Sequence, residues 1–162
     1  MIKKILIAGL IVGFLSSVGY AEVKKKVDSF DGSITITSEQ RGDGRPLARI
    51  NFIKARTSDG VSIYKLALFR IGGLCFFERV PLRMKIKEEI YNLPIVSTSG
   101  EYLTSDFYIT YGTWIVSEEM KERILKADSI TIRVNYRQQV STTLKIPSKM
   151  LDEWKQVIRE KF

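Results

Sequence analysis

Residues 117–162 read SEEMKERILKADSITIRVNYRQQVSTTLKIPSKMLDEWKQVIREKF, and this stretch decides the fold class. Apolar residues recur at helical spacing over 117–127, after a serine that can cap a helix, and over 148–161, after a proline. Between these segments, apolar residues alternate with polar ones over 130–136 and 140–146, which predicts a β-hairpin. A helix, a hairpin and a second helix indicate an α+β protein whose two helices pack on one face of an antiparallel sheet.

Strand-like composition also recurs upstream of this stretch. Five segments there are rich in aromatic and β-branched residues or alternate apolar with polar residues. Asp59-Gly60 lies between two of them and favours a tight hairpin turn. Residues 92–100 contain a proline and several serines and are expected to be an irregular connection. The whole sheet is expected to have roughly five to seven strands, including 33–37, 47–56, 61–71, 82–87 and 101–116.

Two of these strands suggest a binding surface. One alternates apolar residues with the cations Arg83, Lys85 and Lys87, so one of its faces is apolar and the other is positively charged. The aromatic segment 101–116 has large apolar side chains at both parities, with Tyr108 and Trp114 on one of them. If helices cover one face, the other face must contact a further layer of the domain, a second copy of the chain or a ligand. We therefore predict that these cations and aromatic residues form the binding surface.

The N-terminus resembles a secretory signal peptide. Lys3 and Lys4 precede an apolar run over 5–18, and the small residues Gly19 and Ala21 stand at positions −3 and −1 of a cleavage site. The apolar run is shorter than the roughly 20 residues that a membrane-spanning helix needs. These features predict export, with the mature protein left soluble in the periplasm or outside the cell.

Export divides the chain into three parts. Residues 1–21 would be the signal peptide, 22–32 a basic and flexible leader, and 33–162 a single α+β domain. The formal charge is +8, and loss of the two N-terminal lysines lowers it to +6. A basic exported domain favours anionic partners, such as an acidic envelope protein or an anionic cell-surface component, and no nucleic acid is expected. A homodimer through the aromatic strand is a further possibility.

The composition argues against the commonest catalytic sites. The chain has no histidine and a single cysteine, Cys75, which excludes a Cys/His zinc site and an internal disulfide. No nucleophile and base, metal set or phosphate loop can be assembled from the motifs. We predict a non-catalytic binding module without cofactor or metal. Two alternatives stay open: an unusual hydrolase or transferase that uses neither histidine nor metal, and a secreted inhibitor or toxin that acts on another protein.

Three short motifs have ordinary structural explanations. Ser62 and Lys65 match the S-x-x-K pattern of serine acylases, but they lie on a predicted strand, where residues three apart face opposite sides. The tripeptide Arg41-Gly42-Asp43 is recognised by integrins when it is displayed, and it also suits any polar turn. The cysteine stands among leucine and phenylalanine residues and is expected to be a small buried side chain.

Overall fold

The computed structural model describes residues 22–29, 31–41, 49–102, 104–105, 107–137 and 139–162. The predicted signal peptide, over residues 1–21, lies outside these ranges, as do Gly42 and Asp43 of the integrin tripeptide. Within the described residues the chain forms ten strands and two helices. All the strand pairs are antiparallel, which confirms the α+β class and the antiparallel sheet.

The strands form two sheets instead of one. Sheet A contains six strands: β1 (Glu22–Val27), β2 (Ile34–Arg41), β3 (Arg49–Arg56), β4 (Ser62–Gly72), β7 (Ile95–Tyr102) and β8 (Tyr108–Val116). Sheet B contains four: β5 (Leu82–Ile86), β6 (Glu89–Leu93), β9 (Ile130–Tyr136) and β10 (Gln139–Lys145). Their orders are β1-β2-β3-β4-β8-β7 and β10-β9-β5-β6. The expectation of five to seven strands is therefore too low.

Both predicted helices are present within a few residues of their expected ends. Helix α1 spans Glu118–Lys126, and the side chain of Ser117 accepts a hydrogen bond from the backbone N–H of Met120, as a helix cap should. Helix α2 spans Ser148–Arg159 and follows Pro147. It packs across β1, β2 and β3, and α1 packs against α2.

Sheet A has one covered face, which contains most of the core. Phe52, Leu66 and Trp114 lie opposite one another on β3, β4 and β8, and all three are buried. Helix α2 covers the β3 side, where Trp154 stacks on Phe52 with ring centroids 5.3 Å apart. Sheet B contributes its apolar face to the same core, and Phe77 joins the sheets by packing against Trp114 at 5.8 Å.

Two segments differ from the expectation for physical reasons. Residues 22–27, expected to belong to a flexible leader, form β1 and pair with β2 along their whole length. Residues 92–100, expected to be irregular, contain the end of β6 and most of β7. The proline there, Pro94, lies between these strands, where the chain passes from sheet B to sheet A. Lysines and serines are tolerated because β1 and β7 are edge strands of sheet A.

One polar contact joins helix α2 to the covered face of sheet A. The hydroxyl of Ser38 on β2 donates a hydrogen bond to Oε2 of Glu153 on α2 at 2.9 Å. Both residues are buried, so this carboxylate has lost much of its contact with water. A buried carboxylate that loses a donor retains its desolvation penalty, so the bond matters for the position of α2.

We expect Ser38→Ala to lower the free energy of unfolding by about 1–3 kcal/mol, because it removes one hydrogen-bond donor from a buried carboxylate. Ser62→Ala is the matched control, since Ser62 is exposed on a strand of the same sheet. The control should change stability by no more than about 0.5 kcal/mol. Urea unfolding of both variants measures the difference, and equal values would show that the buried bond contributes nothing to stability.

Candidate functional site

The predicted cationic row lies on the outer face of sheet B. In β5 the apolar residues Leu82, Met84 and Ile86 are buried against the core, and Arg83 and Lys85 between them are exposed. This alternation follows from the pleat of a strand with one covered face. The structure therefore places both cations where a partner outside the chain can reach them.

The neighbouring strand β9 adds another cation, Arg133, to this face. Arg83 on β5 lies directly opposite Arg133 on β9. Lys85 lies opposite Thr131 on β9 and opposite Ile90 on β6. Like charges placed directly opposite each other on a sheet destabilise it. Two guanidinium groups in register are therefore a feature that the fold alone does not explain.

These side chains surround a pocket of about 300 Å³, which we call the sheet B groove. Its lining combines cations, hydroxyl groups and apolar surface, and it includes no acidic side chain among the described residues. Ile90, which is 54% exposed, provides much of the apolar surface. The lining residues are Arg83, Lys85, Ile90, Thr131, Ile132, Arg133 and Thr143.

An acidic residue approaches the groove from the hairpin turn. Lys85 Nζ lies 2.9 Å from Oε2 of Glu88, and the side chain of Glu88 is 92% exposed. Such an exposed pair contributes about 0–1 kcal/mol and is weakened by salt. An anionic partner can therefore replace this carboxylate at little cost, so the lysine stays available for binding.

The third predicted cation, Lys87, lies at the tip of the β5–β6 hairpin. Its φ angle is 55°, in the left-handed region that favours glycine. Two-residue hairpin turns with positive φ at their first position match the twist of the strands, and glycine is the usual residue at that position. A lysine here costs stability and projects an ammonium group from the end of the cationic row.

We expect Lys87→Gly to raise the free energy of unfolding by about 1 kcal/mol, because glycine adopts positive φ without a steric penalty. Glu88→Gly is the matched control in the same turn. Lys87 is the only non-glycine residue with positive φ in the described part of the chain, so glycine relieves no strain at position 88. The control should therefore lower the free energy of unfolding by up to about 1 kcal/mol. Urea denaturation distinguishes the two. A less stable Lys87→Gly variant would contradict the strain at this turn.

The two aromatic residues of the predicted surface lie elsewhere. Trp114 is 2% exposed, and its indole N–H donates a hydrogen bond to the carbonyl oxygen of Val80 at 3.1 Å. Tyr108 is 7% exposed and packs between Phe76 and Tyr102, with ring centroids 5.0 Å away on each side. Both side chains point to the covered face of sheet A. The structure thus brings Arg83 and Lys85 together, but neither aromatic residue joins them.

The other face of β8 is partly exposed. Ile109, Tyr111 and Ile115 alternate with the buried residues and are only partly covered. Because β8 lies between β4 and β7, a second copy of the chain could meet this strand only through that face and not through its backbone edges. The alternation in the sequence shows that both faces of β8 carry apolar side chains, but it does not show which face is covered.

Sequence reasoning missed Arg133 and Thr143. Arg133 does have a sequence signal, since it falls on the polar parity of the predicted hairpin 130–146. No local pattern, however, shows that β9 pairs with β5, because the two strands are separated by sheet A strands and a helix along the chain. The missing information is the partner of a strand, which depends on contacts between distant segments.

Cys75 is a buried thiol, and the S-x-x-K pair does not have the geometry of an acylase site. Cys75 is buried and free, and its thiol donates to Oε1 of Gln139 at 3.1 Å. Burial raises the pKa of this thiol, and the positive charge of Arg70 only partly opposes the shift. Ser62 and Lys65 both lie on β4, so they lack the one-turn helical spacing that the acylase pattern needs.

Comparison with known proteins found no relative, so the function of this chain is inferred from its own geometry. The chain matches no family model, no curated protein and no solved structure. Among the described residues, no helix has both the length and the apolar character needed to cross a membrane. In the same part of the chain, no three histidine, cysteine, aspartate or glutamate side chains are grouped so as to hold a metal ion.

We expect the thiol of Cys75 to react slowly with an aromatic disulfide reagent in the native protein. Its raised pKa keeps it protonated at pH values where an ordinary thiol, with a pKa of 9.0, already forms some thiolate, and burial blocks access. The labelling rate should keep rising with pH beyond 9.0, where the rate of an ordinary thiol levels off. In urea the reaction should become fast. Rapid stoichiometric labelling of the folded protein would contradict the buried thiol.

Proposed function

We propose that this protein is an exported, non-catalytic binding module that holds an anionic partner in the sheet B groove. The observation that carries the proposal is the register of Arg83 opposite Arg133 on an exposed face. This arrangement costs stability when the protein is alone, and a bound anion would convert the cost into a gain.

The chemistry of the groove suits phosphate or carboxylate groups. Arginine presents five donors in a planar fork, and it binds such groups through two parallel hydrogen bonds. The hydroxyl groups of Thr131 and Thr143 line the same groove and can donate further hydrogen bonds. Ile90 adds apolar contact beside the cations. The partner would therefore have an anionic group next to an apolar one.

The shape of the positive surface favours a large partner. The row continues beyond the groove to Lys87 at the hairpin tip and to Lys145, which lies opposite Thr131 on the far side of β9. Cations from three neighbouring strands and a hairpin tip can contact repeated charges on an anionic cell-surface component or an acidic envelope protein. The lining supplies no carboxylate among the described residues, which supports binding over acid–base catalysis.

The test is a double variant, Arg83→Gln with Arg133→Gln. Binding is measured by cosedimentation with vesicles that contain anionic phosphatidylglycerol, and by retention on immobilised polyglutamate, at low and at physiological salt. We expect the native protein to bind at least one of these probes and to bind less at higher salt, because exposed charges are screened. The double variant should lose about tenfold or more in affinity, since each charge-assisted hydrogen bond contributes about 1.5–3 kcal/mol.

The matched control removes two exposed cations that do not line the groove, Lys126→Gln and Arg159→Gln, at the ends of the helices. It carries the same net charge as the double variant and should retain most of the binding. The double variant should also unfold at the same or a slightly higher urea concentration, because a like-charge pair has been removed. If both variants lost the same affinity, binding would depend on net charge and not on the groove. If the native protein bound neither probe, this class of partner would be excluded.

A further inference from the structure

A second pocket, of about 200 Å³, shares no lining residue with the sheet B groove. It is formed by β7, β8 and the segment between β4 and β5, and we call it the arginine–tyrosine pocket. Aromatic, hydroxyl and guanidinium groups line it, and no lining residue is acidic. The lining residues used below are Phe76, Arg79, Thr98, Gly100, Tyr108 and Arg137.

Two arginines reach this pocket from different elements. Arg79 belongs to the segment before β5, and its Nε donates to the hydroxyl of Thr98 on β7 at 3.4 Å. Arg137 directly follows β9, and its backbone N–H donates to the carbonyl oxygen of Phe76 at 2.9 Å. The first bond holds the guanidinium group of Arg79 against β7, and the second holds the backbone of Arg137 beside Phe76. Neither arginine forms an ion pair within the described residues, so their positive charges are not neutralised there.

The aromatic wall depends on a glycine. The ring of Tyr108 lies across β7 at Gly100, and a Cβ atom at that position would overlap the ring. Phe76 packs edge-on against Tyr108 from one side, with ring planes at 66°, and Tyr102 packs from the other at 81°. Phe76 is 36% exposed and Tyr102 67% exposed. Phe76 and Tyr108 therefore give the pocket an aromatic wall next to the exposed ring of Tyr102, and exposed aromatic clusters are a feature of binding surfaces.

Size and charge together restrict the ligand. Pockets for drug-sized ligands have volumes of about 300–1,000 Å³, so this smaller space suits a single ring with a short substituent. Two guanidinium groups without acidic partners suit a carboxylate, which each can bind through parallel hydrogen bonds. The aromatic wall formed by Phe76 and Tyr108 favours a second ring in edge or offset contact.

We propose that the arginine–tyrosine pocket binds a carboxylate attached to an aromatic group. This chemistry has two sources: a free aromatic acid, or the C-terminal residue of a chain that ends in an aromatic side chain. The site shares no lining residue with the sheet B groove. The two proposals are therefore independent, and each can fail without the other.

The test compares 3-phenylpropionate with 3-phenylpropionamide, which has the same ring and chain length but a neutral amide in place of the carboxylate. Titration of the purified protein, followed by intrinsic fluorescence and calorimetry, should show saturable binding of the acid. The amide should bind at least tenfold more weakly. Arg79→Gln and Arg137→Gln should each weaken binding of the acid by tenfold or more, whereas Arg83→Gln in the groove should leave it unchanged.

A second pair of probes distinguishes the two sources. Gly-Gly-Phe with a free C-terminus is compared with the same peptide amidated at its C-terminus. Tighter binding of the free peptide than of phenylpropionate indicates a chain end, and weaker binding indicates a free acid; both results support a carboxylate on an aromatic group. Circular dichroism confirms that the arginine variants are folded, and Tyr108→Phe tests the wall while preserving the ring.

Three results would overturn the proposal. They are equal binding of the acid and the amide, no binding of the acid at millimolar concentration, and native affinity in both folded arginine variants. If only Arg83→Gln weakened binding of the acid, the ligand would belong to the sheet B groove and the pocket assignment would also be wrong.

Discussion

The covered face of the six-stranded sheet A is the constraint on which the rest of the structure depends. A sheet this wide has too much apolar surface for one helix to bury, and two different covers share the task. Trp154 of α2 stacks on Phe52 over one half, and sheet B packs over the other half through the contact of Phe77 with Trp114. Since sheet B is itself a cover, its outer face is free to carry charge. The arginine–tyrosine pocket lies at the margin where this cover ends.

A buried cation and an exposed cation of this protein have different partners. Lys54 lies on the covered face of β3 and donates from Nζ to the carbonyl oxygens of Glu160 at 2.6 Å and Ile158 at 3.4 Å, just where α2 ends. Burial, together with the nearby charge of Lys121, lowers the pKa of Lys54. This buried cation therefore has carbonyl partners at the negative end of a helix dipole. Arg83 has another cation opposite it instead, so the fold supplies no compensating partner for this pair in the register of the strands.

Much of the fold was predictable because its segments are locally patterned. The β9–β10 hairpin, the strand β5 and both helices follow from periods of two or about 3.6 in the positions of apolar residues. Among the strands that were missed, β1 and β7 lie at the edges of sheet A, and edge strands need little apolar surface. Their backbone hydrogen bonds come from β2 and β8, and neither a lysine run over 24–26 nor the serines of β7 reveals such a partner.

The sequence by itself determined which side chains share a face of each strand, because alternation is a property of the backbone. It therefore placed Arg83 and Lys85 together on a polar face and Tyr108 with Trp114 on an apolar one. Only the tertiary structure decided that Tyr108 and Trp114 face the core and that Arg133 lies beside Arg83. Which face is covered, and which strand is the neighbour, depends on contacts between segments far apart in the chain, and these contacts form only when the two sheets pack together.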